Sequence, residues 1–131
     1  MTEDRTRPIL PGAAATDYER YLRTDELLAL QKRPEEVAHR DELLFQTVHQ
    51  SSELWLKLAC TEIEEATSLL SGEGVPAAVR LMRRANDCMS LVTGQLHMLE
   101  HMNPVDYALV RTALGHGAGL RGGGRFGRAV H

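Results

Sequence analysis

Apolar residues recur at three- and four-residue spacings through most of the chain, the period of helices buried along one side. Leu44, Val48, Trp55, Ala59, Ile63, Ala66 and Leu70 predict a long helix from about Arg40 to Leu70. Glu53 and Lys57 form a favourable i,i+4 pair on it. Ser71-Gly72-Glu73-Gly74 breaks the pattern, and Pro76 suits the first turn of a further helix reaching about Met102. Its apolar side is Ala78, Leu81, Ala85, Cys88, Val92, Leu96, Leu99 and Met102, with Arg80, Arg83, Arg84 and Asp87 opposite. The short loop makes these two long helices antiparallel neighbours. Thr24-Asp25-Glu26-Leu27 opens a shorter helix that Pro34 stops, and Asn103-Pro104 caps another ending near Leu114. No stretch alternates at period two. The expected class is all-α: an antiparallel helical bundle of two long helices plus shorter N- and C-terminal ones.

The 131 residues suffice for one small domain with its own core. Residues 1–16, with two prolines and three consecutive alanines, are expected to be a flexible arm, and 17–114 the helical domain. Seven glycines lie between Gly115 and Gly127, so 115–131 is expected to be a disordered Gly/Arg-rich tail. Arg121, Arg125 and Arg128 make that tail basic, against 12 basic and 18 acidic residues before it. A formal charge of −3 argues against nucleic acid as a partner. No apolar run is long enough to span a bilayer, and the N-terminus has no signal-like apolar stretch. Cys60 and Cys88 fall inside helical patterns and fit reduced core residues, so a cytoplasmic location is expected.

Four groups carry candidate chemistry. His49 follows Phe45 by four residues and shares its helix face; it suits a proton acceptor, a hydrogen-bond partner or an iron ligand, or simply a histidine bonded to its own turn. Tyr107 and Arg111 repeat that spacing. They suit a carboxylate held beside a flat apolar body, or a solvated arginine resting on a ring. Tyr18, Tyr21 and Leu22 form an aromatic group outside the long helices, fit either for core packing or for docking on another subunit. His97-Met98-Leu99-Glu100-His101 matches the H-x-x-E-H zinc-peptidase pattern, but Leu99 lies on the buried stripe and its histidines flank that stripe; no metal site is expected.

His39-Arg40-Asp41-Glu42-Leu43-Leu44-Phe45-Gln46-Thr47-Val48-His49-Gln50, continuing through Glu53-Leu54-Trp55-Leu56-Lys57, resembles the tryptophan 2,3-dioxygenase family. Tyr18-Glu19-Arg20-Tyr21-Leu22, Leu99 to Tyr107 with Arg111 beyond it, and Gly117-Ala118-Gly119 resemble further family segments in the same order. The resemblance covers roughly residues 17–119. It implies a helical, tetrameric enzyme that uses haem b to insert dioxygen across the indole C2–C3 bond of L-tryptophan, giving N-formylkynurenine, the first step of the kynurenine route. By that resemblance Phe45 packs on the indole and His49 bonds its N–H on the distal side of the haem. Tyr107 lines the pocket and Arg111 pairs with the substrate carboxylate. Tyr18, Tyr21 and Leu22 complete a neighbouring subunit's pocket, and Gly119 belongs to a distal-side loop.

The family's proximal histidine has no matching residue here, so the chain is expected to be an N-terminal half, inactive alone. The switch to Gly and Arg after Gly119 suggests a frameshift or a truncated reading frame. The substrate is L-tryptophan or a related indole or aromatic amino acid. The alternative is a non-catalytic helical module that self-associates or binds a partner through its apolar stripes.

Overall fold

The computed structural model describes residues 4–115. The chain forms two compact units, Met1–Glu36 and Val37–His131. All regular structure among the described residues is helical, as the periodicity predicts. No helix of the described residues is long and apolar enough to cross a membrane.

In the first unit, helix α1 spans Asp17–Leu22. Thr16 caps it reciprocally with Glu19: the Glu19 N–H donates to the threonine hydroxyl at 3.2 Å, and the Glu19 carboxylate accepts the Thr16 N–H at 3.2 Å. The preceding residues form bends and turns rather than regular structure. They are tied to α1, because Asp17 accepts the N–H groups of Ile9 and Leu10 at 2.8 Å each. Arg20 donates to the carbonyls of Ala14 and Leu10, at 2.7 and 2.8 Å. Arg23 ends α1 in the left-handed region, with φ 54°, and α2 starts at once over Thr24–Leu28. The helix expected to continue towards Pro34 stops at Leu28. With Leu28 and Leu30 exposed, it lacks the packing that sustains so short a helix in water. Neither α1 nor α2 buries a residue fully.

In the second unit, α3 (Glu42–Leu70) and α4 (Val75–Leu96) form an antiparallel hairpin. Ser52 faces Gln95, Ala59 faces Ala85 and Cys88, and Glu62 faces Arg84, so one index falls as the other rises. The seam is built from small residues: Ala59, Ala66, Ala78 and Ala85 are all buried. The hydroxyls of Ser51 and Ser52 donate to Gln95 Oε1 at 2.9 and 3.1 Å, and Arg84 donates to the buried Glu62 at 3.0 Å. These polar links fix the register of an otherwise smooth alanine seam. At the hairpin turn a Cβ on Gly74 would lie 3.0 Å from both the side chain and the carbonyl of Leu69, which explains glycine there.

The second of the expected long helices winds more tightly at its end, where His97–His101 is a 3-10 helix. Met102 is extended, and Asn103 caps α5 (Pro104–Ala113) by accepting the Val105 N–H at 2.9 Å. The apolar stripe is narrower than its spacing suggests. Val48, Ala59 and Ala66 are buried, Leu44, Trp55 and Ile63 are half-buried, and Leu70 is exposed. Two helices cover one seam only, leaving Leu54, Leu58, Met82 and Met89 on the outside.

Candidate active site

Helix α3 presents Phe45 and His49 one turn apart, and α5 presents Tyr107 and Arg111 likewise. What joins the two pairs is a small apolar cluster: buried Phe45, Met102 and Val110, with Leu44, Leu99 and Tyr107 packed around it. The extended Met102 and the Asn103 cap turn the chain so that α5 can set Val110 into this cluster.

The imidazole of His49 stacks on the ring of Phe45, with centroids 4.1 Å apart and planes inclined by 22°. Phe45 and Tyr107 meet at 5.8 Å and 57°, a tilted aromatic pair. His49 Nδ1 lies 2.8 Å from the Phe45 carbonyl oxygen. A carbonyl only accepts, so Nδ1 carries the proton, and in the neutral ring Nε2 is the acceptor nitrogen. Arg111 Nη1 donates to the Tyr107 hydroxyl at 3.3 Å, which leaves the guanidinium exposed beside an aromatic wall. Around the buried Phe45, the arrangement offers the half-buried ring of Tyr107, one nitrogen acceptor and one exposed cation. Such a set suits an aromatic amino acid with a ring N–H and a carboxylate.

Tyr18, Tyr21 and Leu22 belong to the first unit, where the two tyrosines are 71% and 77% exposed. Gly119 and the tail beyond Gly115 lie outside the described residues. The H-x-x-E-H segment does not assemble as a zinc pair would require. The 3-10 winding aligns residues three apart, so exposed His97 pairs with Glu100 at 3.1 Å instead of sharing a face with His101. A different group, His39, Asp41 and Asp106, comes together with potential ligand atoms within 4.8 Å of one another. Sequence reading passed over it because His39 and Asp106 are far apart in the chain; the only local signal was Asp41 at a helix start. Cys88 sits in the α3–α4 seam, where burial, and then the charges of Glu62 and Asp87, push its thiol up.

The profile of the family described as Tryptophan 2,3-dioxygenase matches residues 7–123, a wider span than the motifs alone indicated. The chain is 34% identical over 125 residues to the tryptophan 2,3-dioxygenase of Kineococcus radiotolerans, covering 91% of this chain and 43% of that protein. It is 38% identical over 104 residues to the tryptophan 2,3-dioxygenase of Xanthomonas oryzae pv. oryzae, covering 79% of this chain and 35% of that one. The protein of the same name from Xanthomonas campestris pv. campestris matches to the same extent. The chain thus spans less than half the length of these relatives. No solved structure matches it significantly.

Proposed function

The chain belongs to the tryptophan 2,3-dioxygenase family, and from that premise we propose that its α3–α5 face is the substrate-contacting wall of a haem dioxygenase acting on L-tryptophan. The observation that carries this reading is the juxtaposition of Phe45, His49, Tyr107 and Arg111 around one apolar cluster. In this account the indole lies beside the stacked Phe45–His49 pair, and His49 Nε2 accepts the indole N–H. The Nδ1–carbonyl bond fixes the tautomer that makes this possible. Tyr107 closes the apolar wall, and Arg111 takes the substrate carboxylate with charge-assisted bonds. Together these contacts hold the C2–C3 bond in one place and keep water from it, which is the protein's share of such a reaction.

The residues present fit one side of a haem, an aromatic ring beside an imidazole whose Nδ1 is already engaged. Family resemblance assigns no described residue to the other side. Haem b, when bound, supplies the iron at which dioxygen is activated for ring opening to N-formylkynurenine. The exposed Tyr18, Tyr21 and Leu22 suit completion of a neighbouring subunit's pocket in a tetramer, and a cytoplasmic location belongs to the same reading.

The test combines the full chain with hemin, ascorbate to reduce the iron, and the part of the Kineococcus relative that it does not cover, under labelled dioxygen. N-formylkynurenine carrying both labelled oxygens is the expected product. Absence of product, with the intact relative active alongside and this chain folded, would overturn the reading. A second reading, a helical self-association module, is favoured by exposed Leu54, Leu58, Met82 and Met89. It predicts concentration-dependent oligomers by sedimentation, with no effect of hemin or L-tryptophan.

A further inference from the structure

The segment leading into α3 and the first turn of α5 are linked by His39 and Asp106. His39 Nε2 lies 3.6 Å from Asp106 Oδ2, an electrostatic contact slightly longer than a hydrogen bond. On its other edge, His39 Nδ1 accepts the Asp41 N–H at 3.1 Å, and Asp41 Oδ2 lies 3.9 Å from that nitrogen. Arg40 Nη1 donates to the remaining Asp41 oxygen at 3.0 Å. The side chains of His39, Asp41 and Asp106 are 29%, 23% and 32% exposed, which screens the contact only in part.

One imidazole and two carboxylates within 4.8 Å are also a plausible donor set for a divalent cation. The hydrogen bonding favours a different use. Because Nδ1 accepts from a backbone N–H, the neutral ring carries its proton on Nε2, the nitrogen aimed at Asp106. A cation bound through Nε2 would displace that proton to Nδ1, placing it against the Asp41 N–H. A donor on Nε2 facing a carboxylate needs no such change.

The anchoring on each side is firm. The His39 carbonyl accepts the Glu42 N–H at 3.0 Å, and the buried Glu42 carboxylate accepts the Ala38 N–H at 2.7 Å, so His39 is tied to the start of α3. Asp106 directly precedes Tyr107 within the first turn of α5. We propose that His39 and Asp106 are positioning residues, a polar clamp that sets α5 on α3 and so holds Tyr107 and Arg111 against Phe45 and His49. The apolar cluster at Val110 secures the middle of α5, and the clamp secures its beginning. The consequence for substrate rests on the dioxygenase reading, whereas the clamp itself is measurable without any ligand.

The test uses the full chain, with amide hydrogen exchange and the nuclear Overhauser contact between the Phe45 and Tyr107 rings as readouts. His39→Ala should lower protection across α5 by about three- to fivefold, the size expected of a partly shielded polar contact. The ring contact should weaken, while protection in the seam at Ala59 and Ala85 stays unchanged. His39→Gln, which keeps an N–H donor towards Asp106, should restore most of the loss. Asp106→Ala should match His39→Ala, and the double variant should lose no more than either alone.

Unchanged α5 protection in His39→Ala, or additive losses in the double variant, would overturn the clamp. So would stoichiometric zinc or manganese bound by the wild-type chain and lost in His39→Ala, since that assigns the group to a metal. If His39→Ala loses protection everywhere, Asp106→Ala decides: a loss confined to α5 supports the clamp, and no loss refutes it. Failure of L-tryptophan to bind the wild-type chain counts against the proposed function alone.

Discussion

Val110 is fully buried, at 0% exposure, and its side chain is what α5 inserts between Phe45 and Met102. Val110→Ala removes two methyl-sized groups, a transfer loss of about 1.5 kcal/mol. A residual cavity adds several tenths more, giving roughly 2 kcal/mol in total. The loss should be local, because the α3–α4 seam around Ala59, Ala85 and Cys88 is a separate cluster. At about 1.4 kcal/mol per factor of ten, amides of α5 should then open roughly 30-fold more often. Hydrogen exchange followed residue by residue reads this directly: protection should fall from Tyr107 to Thr112 and hold at Ala59 and Ala85. The ring contact between Phe45 and Tyr107 should weaken in parallel. An equal loss of protection in the seam would show that α5 and the hairpin unfold together. No loss in α5 would show that Val110 is not its anchor. Either result refutes the view that Val110 anchors α5 independently of the α3–α4 seam.

Further outcomes follow from the same geometry. Arg111→Ala in a haem-loaded assembly should weaken L-tryptophan binding by about 1.5–3 kcal/mol, the range for a hydrogen bond to a charged group; calorimetry should also show that indole, which has no carboxylate, is unaffected. His49→Ala should reduce affinity for L-tryptophan more than for its N1-methyl analogue, which has no ring N–H to donate; equal losses by titration would remove the Nε2 contact. Ala59→Leu should overpack the alanine seam and cost about 1–3 kcal/mol in chemical denaturation. The raised Cys88 thiol binds its proton more tightly when folded, so its contribution is fully present below the ordinary value of 9.0 and fades as pH rises through the higher folded value. Cys88→Ala should flatten that alkaline loss in thermal melts, and an unchanged pH profile would assign the loss to other groups.

The hairpin was legible because its signals are local: an apolar repeat, a glycine-bearing break and a proline at the next helix start. Asn103-Pro104 marked α5 for the same reason. The i,i+4 pairs Phe45–His49 and Tyr107–Arg111 could each be read from their spacing, whereas their meeting was implied only by the family resemblance. It depends on Met102 turning the chain and on Val110 filling the gap beside Phe45. The 3-10 end of α4 was equally hidden, since H-x-x-E-H reads as α-helical spacing until the winding is known. Stripe positions such as Leu70 were over-assigned to the core, because periodicity says which side is apolar and not how wide the covering neighbour is. His39 and Asp106 were missed because a contact between residues so far apart in sequence leaves no pattern in either segment.

The claim at the centre of this account is that Phe45, His49, Tyr107 and Arg111 form one binding surface for an indole amino acid. The most direct measurement titrates L-tryptophan into the isotopically labelled full chain, combined with the part of the Kineococcus relative that it does not cover and with zinc protoporphyrin IX as a diamagnetic haem surrogate. The account predicts saturable resonance shifts concentrated at these four residues and abolished by Arg111→Ala. If these resonances stay fixed while the Kineococcus relative binds L-tryptophan under the same conditions, the claim is contradicted.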